Sequence, residues 1–319
     1  AERRGERLEP VLERATITRL GQGVDVARAL APEAIERTLA CLSAYADDLR
    51  AAGVDVANLD AVGTSAMRDA KGGDAFVARA REILGKAPRT ISGDEEAALT
   101  FEGALSGIPV DHPADRVTSV DHPADRVASV DHPADRVASV DGAGVTVFDV
   151  GGGSTEVVRR DAGGGALAMV SLDVGSVRLT ERHVRSDPPA RAELDAVRAD
   201  VRAALASAPL GGAGSLVGVA GTVTTLAAYA LGVAPYDGAR VHGSVIERAR
   251  IVAAADELAA MPLASRRALP TVDAKRADVI VAGAVIVVEV LERAGASSLV
   301  VSDRGVRWGL AQRLLRARE

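Results

Sequence analysis

Three consecutive glycines stand where an apolar segment ends in an acid and a segment of alternating polarity follows: Gly151, Gly152 and Gly153. Because glycine has no side chain, N–H groups in such a turn are able to approach phosphate oxygens closely. Ser154 adds a hydroxyl donor, and Glu156 lies on the returning segment. Asp149 is placed to hold a metal ion or its water shell. The pattern predicts a phosphate-binding hairpin; the alternative is a glycine-rich turn without a ligand.

A second candidate site lies at Gly221, between an apolar segment and a helical pattern. Residues 216–220 are typical of a strand, and residues 222–231 are typical of a helix. Gly221 and Thr222 therefore lie at a helix N-terminus, where free N–H groups bind anions. The alternative is that the threonines of the first turn serve only as helix caps.

Acidic residues crowd the start of another predicted helix. Ser92 and Glu95 fit the Ser-x-x-Glu capping box, which predicts a helix from Ser92 to about Leu105. Acids in a first turn complement the helix dipole, but a run from Asp94 to Glu96 exceeds that need. One of these carboxylates is therefore a candidate general base.

The segment GTSAMRDA, residues 63–70, follows a short predicted strand over residues 59–63. It offers the hydroxyls of Thr64 and Ser65 and the guanidinium of Arg68 to a phosphate. The alternative is a polar loop with no ligand.

The elements that must position these groups alternate between strand and helix, which predicts an α/β fold. We expect further strands over residues 11–20, 145–150, 155–159 and 298–302. We expect further helices from Pro32 to just before Gly53 and over residues 74–84, 188–206, 246–258, 274–294 and 306–318.

The composition sets limits on function. The chain has 319 residues, 48% of them hydrophobic, which is enough for two domains with sizeable cores. A net charge of −6 argues against nucleic acid as a partner, because nucleic-acid binding needs a basic face. The single cysteine, Cys41, excludes an internal disulfide and a multi-cysteine zinc site.

The longest strongly apolar stretch covers residues 279–288, about half of the ~20 residues that a membrane helix needs. The first residues also lack the apolar core of a signal peptide. We therefore expect a buried helix, no membrane partner and a cytoplasmic enzyme.

A ten-residue unit occurs three times over residues 111–140, once as DHPADRVTSV and twice as DHPADRVASV. Each unit holds a proline and several charges but few apolar residues, so it buries little surface. We expect an exposed, partly flexible and dispensable loop that arose by tandem duplication.

The four motifs, in this order, resemble the family of exopolyphosphatases and guanosine pentaphosphate phosphohydrolases (Ppx/GppA), closest to its short, actinobacterial-type members. RLGQGVD from Arg19 and VSDRGVRWGLA near the C-terminus are also similar to this family. The triple glycine alone is shared more loosely with actin, sugar kinases and chaperone ATPases. Its combination with SGDEEA, residues 92–97, is much more specific.

The resemblance implies two actin-like (ribonuclease H-like) domains around a cleft. It also implies removal of the terminal phosphate from inorganic polyphosphate, conversion of pppGpp to ppGpp, or both, with Mg²⁺ as cofactor and a homodimer as a possible assembly. By similarity, Glu96 is the general base and Asp149 the metal-associated acid. Residues 151–154 match a phosphate loop, and Glu156 and Arg68 match further cleft residues. We expect the base and the loop to lie on different domains, so that cleft closure assists catalysis.

We place an N-terminal actin-like domain at residues 1–107, an exposed connector with the repeat at residues 108–143, and a C-terminal actin-like domain at residues 144–319. Relatives begin with a first phosphate loop of the type Asp-x-Gly-Thr/Ser-Asn-Ser, which this sequence lacks. We therefore expect an N-terminally truncated chain or an impaired enzyme. The alternatives are a non-enzymatic binder of polyphosphate or guanosine alarmones and an actin-like kinase or ATPase.

Overall fold

The computed structural model describes residues 1–4, 7–108, 110–111, 140–141, 144–212 and 214–317. The predicted repeat loop lies outside the described residues, apart from its two ends. Among the described residues, no helix is both long and apolar enough to cross a bilayer.

Strands and helices alternate along the chain, and the predicted α/β class is confirmed. The strands are β1 (Glu2–Arg4), β2 (Arg7–Glu9), β3 (Val62–Gly63), β4 (Arg89–Thr90), β5 (Val110–Asp111), β6 (Val140–Asp141), β7 (Gly144–Val150), β8 (Thr155–Asp161), β9 (Ala168–Leu172), β10 (Ser215–Val219), β11 (Val245–Glu247) and β12 (Ser298–Val301).

The helices are α1 (Val24–Ala27), α2 (Pro32–Ala51), α3 (Ser65–Asp69), α4 (Gly73–Leu84), α5 (Gly93–Ala104), α6 (Ser176–His183), α7 (Arg191–Leu205), α8 (Ala220–Leu231), α9 (Gly238–Val241), α10 (Arg248–Ala260), α11 (Leu263–Ala268), α12 (Ile280–Ala294) and α13 (Val306–Arg316).

A six-stranded mixed sheet in the order β11-β12-β10-β7-β8-β9 organises the larger part of the chain. Strands β12, β10 and β7 run parallel, and β8 returns antiparallel beside β7. The carboxyl ends of β7 and β10 therefore meet at one edge of the sheet, where ligands of open α/β sheets bind. The glycine loop connects β7 to β8 at this edge.

Successive side chains of the central β7–β8 hairpin point to opposite faces of the sheet, and apolar side chains occupy both faces. Val145, Val147 and Val158 pack on the face covered by α5. Phe148 and Val157 belong to the larger core on the opposite face, which includes residues of α6, α8 and α12. The sheet is thus buried on both sides.

Helix α5 belongs to the core of this sheet. Its Ala97, Phe101 and Ala104 are buried together with the apolar side chains of β7, β8 and β10. Glu96 is therefore carried by a helix that packs on the same sheet as the glycine loop. The helix of the proposed base and the sheet of the glycine loop are thus already in contact; the domain boundary at residue 107 and the closure of a cleft stay predictions.

Helix α13 crosses α5 at two glycines. A Cβ atom on Gly309 would lie 2.1 Å from the carbonyl oxygen of Leu99, and one on Gly103 would lie 2.0 Å from that of Gly305. No side chain fits at such distances, so glycine permits the close crossing. Through it, the last helix fixes the position of the helix that carries Glu96.

The N-terminal part is smaller. Leu39, Phe76 and Ala80 form its core between α2 and α4, and β3 pairs with β4 over two residues. The helices predicted from Pro32 and over residues 74–84 are confirmed as α2 and α4. The apolar spacing of three to four residues, with Pro32 at the first position and Gly85 at the end, explains the agreement.

The strand predicted over residues 11–20 is wrong. In the described N-terminal part, no strand edge runs beside this segment, and a strand needs a partner for its ladder. Side chains hold the segment instead. Arg37 donates to the Thr18 carbonyl at 3.1 Å, and the Tyr45 hydroxyl donates to Thr16 at 2.8 Å.

Several short elements of the larger part differ from expectation. Strands β9 and β11 and helices α6 and α11 were not predicted, because they are too short to show a clear period. The helix expected from residue 246 begins at Arg248, after β11. The helix expected from residue 274 begins at Ile280, because the preceding residues form a turn in which Arg276 N–H donates to Asp273 O.

Candidate active site

A row of polar side chains crosses three strands at the carboxyl edge of the sheet. Asp149 on β7 lies opposite Glu156 on β8, and Glu156 lies opposite Ser171 on β9. Opposed side chains on one face have Cβ atoms about 4.5–5.5 Å apart. Glu156 is 2% exposed, and the Ser171 hydroxyl donates to its Oε1 at 2.8 Å. The hairpin therefore presents two carboxylates side by side next to the glycine loop.

Glu96 adds a third carboxylate from α5. Ser92 caps this helix by accepting a hydrogen bond from Glu95 N–H at 3.1 Å, as predicted. Glu96 is 7% exposed and lies in the first turn. Arg68 on α3 donates to Glu96 Oε2 at 2.6 Å and to the carbonyl oxygen of Ile91 at 3.1 Å. Arg68 thus brings the positive charge of the GTSAMRDA segment to the acidic row.

The carboxylates affect one another electrostatically. Burial and the charge of Glu96 raise the pKa of Glu156 to about 7, although hydrogen bonds from Ser154 and Ser171 act in the opposite direction. Burial, together with the charges of Glu156 and Glu96, raises the pKa of Asp149 well above its usual range. Three buried acids that interact with one another are electrostatically unfavourable, and a cation or a shared proton relieves the repulsion.

The donor set suits a hard divalent cation, because carboxylate oxygens are the protein ligands that Mg²⁺ prefers. In the described residues, no group of three or more acidic, histidine or cysteine side chains is already arranged to hold a metal ion. Mg²⁺ usually keeps several waters and binds through one or two carboxylates plus substrate phosphates. Asp149 and Glu156 fit that kind of site.

The glycine loop forms a tight turn. Gly151 N–H donates to the Ser154 carbonyl at 3.0 Å, and the Thr155 hydroxyl donates to the Val174 carbonyl at 2.6 Å. In the part of the chain that the structure describes, the N–H groups of Gly152 and Gly153 donate to no protein acceptor. Free backbone N–H groups in such a turn form a receptor for phosphate oxygens.

Thr64 and Ser65 face the loop across a cavity of about 190 Å³. A Cβ atom on Gly153 would lie 3.2 Å from the Ser65 hydroxyl, so the two segments nearly touch. Thr64 precedes α3, the helix that carries Arg68. The structure therefore brings Thr64, Arg68, the glycine loop and the three carboxylates into one region, as the sequence motifs predict.

The second predicted anion site lies on the other side of Asp149. A cleft of about 1170 Å³ is lined by Asp149, Gly221, Thr224 and Thr225, among others. Thr222, in contrast, is 4% exposed and faces away from this cleft: a Cβ on Gly283 of α12 would meet its methyl group at 2.4 Å. Thr222 is therefore a packing residue and not part of the lining, whereas Gly221 is.

Sequence reasoning missed further residues of this region. Tyr236 and Arg276 line the large cleft, and Arg276 lies over Gly221, where a Cβ would meet its guanidinium. Ser171 and Arg178 contact Glu156 and the glycine loop. Each stands in a short or irregular segment without periodicity. The available signal for the start of α6 was the Gly-Ser at residues 175–176, which two residues separate from the end of β9.

The model of the Ppx/GppA phosphatase family matches residues 1–118 and 136–317. The internal unmatched residues, 119–135, fall within the ten-residue repeat, which supports an insertion there. Exopolyphosphatase 2 of Mycobacterium tuberculosis is 37% identical, over 97% of this chain and 90% of its own length. The guanosine-5'-triphosphate,3'-diphosphate pyrophosphatase of Vibrio atlanticus is 34% identical over 52% of this chain and 27% of its own length.

Solved structures similar to this chain also belong to exopolyphosphatase-like and Ppx/GppA proteins. An exopolyphosphatase-like protein superposes with a TM-score of 0.79 at 32% identity, covering 98% of this chain and 94% of that chain. The Aquifex aeolicus Ppx/GppA family member gives a TM-score of 0.71 at 29% identity, covering 97% of this chain and 90% of that chain. The expected fold, with two actin-like domains, is therefore confirmed.

Proposed function

This chain belongs to the Ppx/GppA phosphatase family, and we propose that it hydrolyses the terminal phosphoanhydride bond of inorganic polyphosphate, of pppGpp, or of both. The observation that carries the proposal is the convergence of three carboxylates and Arg68 on a glycine loop with free N–H groups. The names of the relatives, an exopolyphosphatase and a pppGpp pyrophosphatase, support this substrate class.

In the proposed reaction, a water oxygen attacks the terminal phosphorus in line with the bridging oxygen that leaves. Glu96 accepts a proton from the water, the new P–O bond forms, and the bond to the bridging oxygen breaks. Orthophosphate and a chain shorter by one phosphate result. Glu96 suits this role because it is buried, interacts with the carboxylates of Asp149 and Glu156, and is oriented by the hydrogen bond from Arg68.

The remaining groups stabilise charge. The loop N–H groups and the Arg68 guanidinium are directed at the region where negative charge grows on the phosphoryl oxygens. Thr64 and Gly221 extend the contacts along the polyanion on either side of the loop. Enzymes of this family are generally metal-dependent. We propose Mg²⁺, held by Asp149 with Glu156; when bound, it neutralises part of the phosphoryl charge.

The proposal is tested by measuring phosphate release from polyphosphate of defined chain length and from pppGpp, with and without Mg²⁺. Catalytic, Mg²⁺-dependent release of orthophosphate from one of these substrates is expected. Binding of either compound without release would instead indicate a non-enzymatic binder. ATP turnover with phosphate transfer to an acceptor, and none to water, would indicate a kinase.

A further inference from the structure

The first turn of α6 lies directly beneath the glycine loop and donates hydrogen bonds to carbonyl oxygens of the loop. The N–H and hydroxyl groups of Ser176 donate to the Gly151 carbonyl at 3.0 and 3.2 Å. The N–H groups of Val177 and Arg178 both donate to the Gly152 carbonyl, at 2.9 and 3.1 Å. Two of the three glycine carbonyls are therefore fixed by backbone groups, which no side-chain substitution removes.

The third carbonyl is held differently. Arg178 Nε donates to the Gly153 carbonyl at 2.6 Å. Among the described residues, no backbone N–H donates to this oxygen. Arg178 is 6% exposed, and its Nη2 also lies 3.7 Å from Asp173. The guanidinium is thus buried under the loop, where its position is well defined.

The direction of the carbonyls decides the direction of the N–H groups. In a trans peptide, the C=O of one residue and the N–H of the next point in opposite directions. Carbonyls of Gly151, Gly152 and Gly153 that point to α6 therefore turn the N–H groups of Gly152, Gly153 and Ser154 away from it. Three consecutive N–H groups then share one side of the loop, which is the arrangement of an anion-binding nest.

We propose that Arg178 is a positioning residue, which locks the peptide between Gly153 and Ser154 so that the Ser154 N–H faces the phosphoryl group. The inference rests on the proposed function. Glycine at position 153 leaves this peptide free to rotate once the guanidinium is removed. A rotated peptide would present a carbonyl oxygen to the phosphate, replacing an attractive contact with a repulsive one.

The test compares Arg178→Gln with Arg182→Gln in steady-state hydrolysis of polyphosphate. Arg182 lies one turn later on α6 and pairs with Asp200 at the surface, so it controls for lost charge. Loss of one preorganised donor lowers turnover by roughly 10²-fold. We expect kcat/KM of Arg178→Gln to fall by at least about tenfold with a raised KM. Arg182→Gln should stay near the wild type, and Arg178→Lys should recover part of the loss.

Because Arg178 is buried, its substitution also affects stability, and all kinetics are measured well below each variant's Tm. Wild-type kcat and KM in a folded Arg178→Gln protein would overturn the proposal. So would a folded Arg178→Lys protein with no recovery.

If Arg178→Gln does not fold, Gly175→Ala takes its place. A Cβ at Gly175 would lie 2.4 Å from the Gly152 carbonyl, so this change displaces the loop without altering charge. Raised KM is expected, and unchanged kinetics in the folded variant would overturn the proposal.

Failure of the proposed function is recognised separately. If the wild type releases no phosphate, the hydrolase proposal fails, and polyphosphate binding becomes the readout. Affinity at least about tenfold weaker in Arg178→Gln would still support the positioning role, since the lost donor acts on bound phosphate. Equal affinity would overturn it.

Discussion

Arg68 Nη1 lies 2.6 Å from Glu96 Oε2 and joins the smaller N-terminal part of the molecule to the helix that carries the proposed base. The Arg68 side chain is 21% exposed and that of Glu96 is 9% exposed, so the pair is largely shielded from water. A charge-assisted hydrogen bond in this setting orients the carboxylate as well as stabilising it. In the proposed mechanism, the pair connects phosphate recognition by Arg68 to activation of water by Glu96.

Substitution of Arg68 by alanine should lower kcat/KM by about 10²-fold or more, because a cationic donor to the phosphoryl group and the orienting partner of Glu96 are lost together. Arg68→Lys should retain part of the activity. Arg89→Ala is the control, since Arg89 pairs with Glu95 at 2.7 Å but belongs to the exposed surface. Equal losses in the Arg68 and Arg89 variants would contradict the account.

The sequence predicted those parts of this site that lie on long or strongly patterned elements. The β7–β8 hairpin and α5 combine apolar runs with Asp149, Glu156 and Glu96, so the elements and the positions of these carboxylates on them were predicted, whereas their roles stay a proposal. The placement of α5 on the sheet was not. Its burial depends on close contact with α13 at Gly103 and Gly309, and such contacts between distant segments leave no local pattern.

Helix α6 shows a second limit of prediction from the sequence, which concerns short elements. It has eight residues and only one fully buried large apolar side chain, Leu179, so periodicity does not mark it. Thr222 shows why residue type alone misleads. A threonine at a helix N-terminus suits either a ligand or packing, and the neighbouring Gly283 decides for packing.

Gly309→Ala should destabilise the protein by about 1–3 kcal/mol, because the added methyl group would clash with the backbone of Leu99 and separate α13 from α5. Urea unfolding measures the change. Turnover should fall as well, since α5 carries Glu96. Gly73→Ala is the matched control: its Cβ would lie 3.8 Å from the Met67 carbonyl, an ordinary contact in the first turn of α4. Equal stability of both variants would refute the role of the crossing.

His242 should make stability depend on pH. Burial, followed by the charge of Arg304, lowers the pKa of His242 from 6.5 to about 4. The folded state therefore binds fewer protons than the unfolded state, so the contribution to stability is complete above pH 6.5 and is lost as the pH falls towards 4. The imidazole Nδ1 accepts from Asp303 N–H at 3.3 Å, which fits the neutral form.

Thermal unfolding measured from pH 7 to pH 4 tests this assignment. The Tm of the wild type should fall more steeply than that of His242→Gln, which has no titrating group at this position. Parallel curves for the two proteins would show that His242 does not contribute to the pH dependence.

The ten-residue repeat should be dispensable. The family match omits residues 119–135, and the repeat carries few apolar side chains. Deletion of two of the three copies should leave Tm and turnover unchanged, as measured by calorimetry and phosphate release. A large loss of either quantity would mean that the inserted residues contribute to the fold or to the site.

The most direct test of the whole account is the comparison of Glu96→Gln with Glu95→Gln. The two residues are neighbours in the first turn of α5, but Glu95 pairs with Arg89 at the surface, whereas Glu96 pairs with Arg68 and interacts electrostatically with Asp149 and Glu156. We predict that Glu96→Gln lowers kcat for polyphosphate hydrolysis by about 10²–10⁴-fold while binding persists, and that Glu95→Gln retains wild-type kcat. A Glu96→Gln protein that released phosphate at the wild-type rate would contradict the assignment of the base and the mechanism built on it.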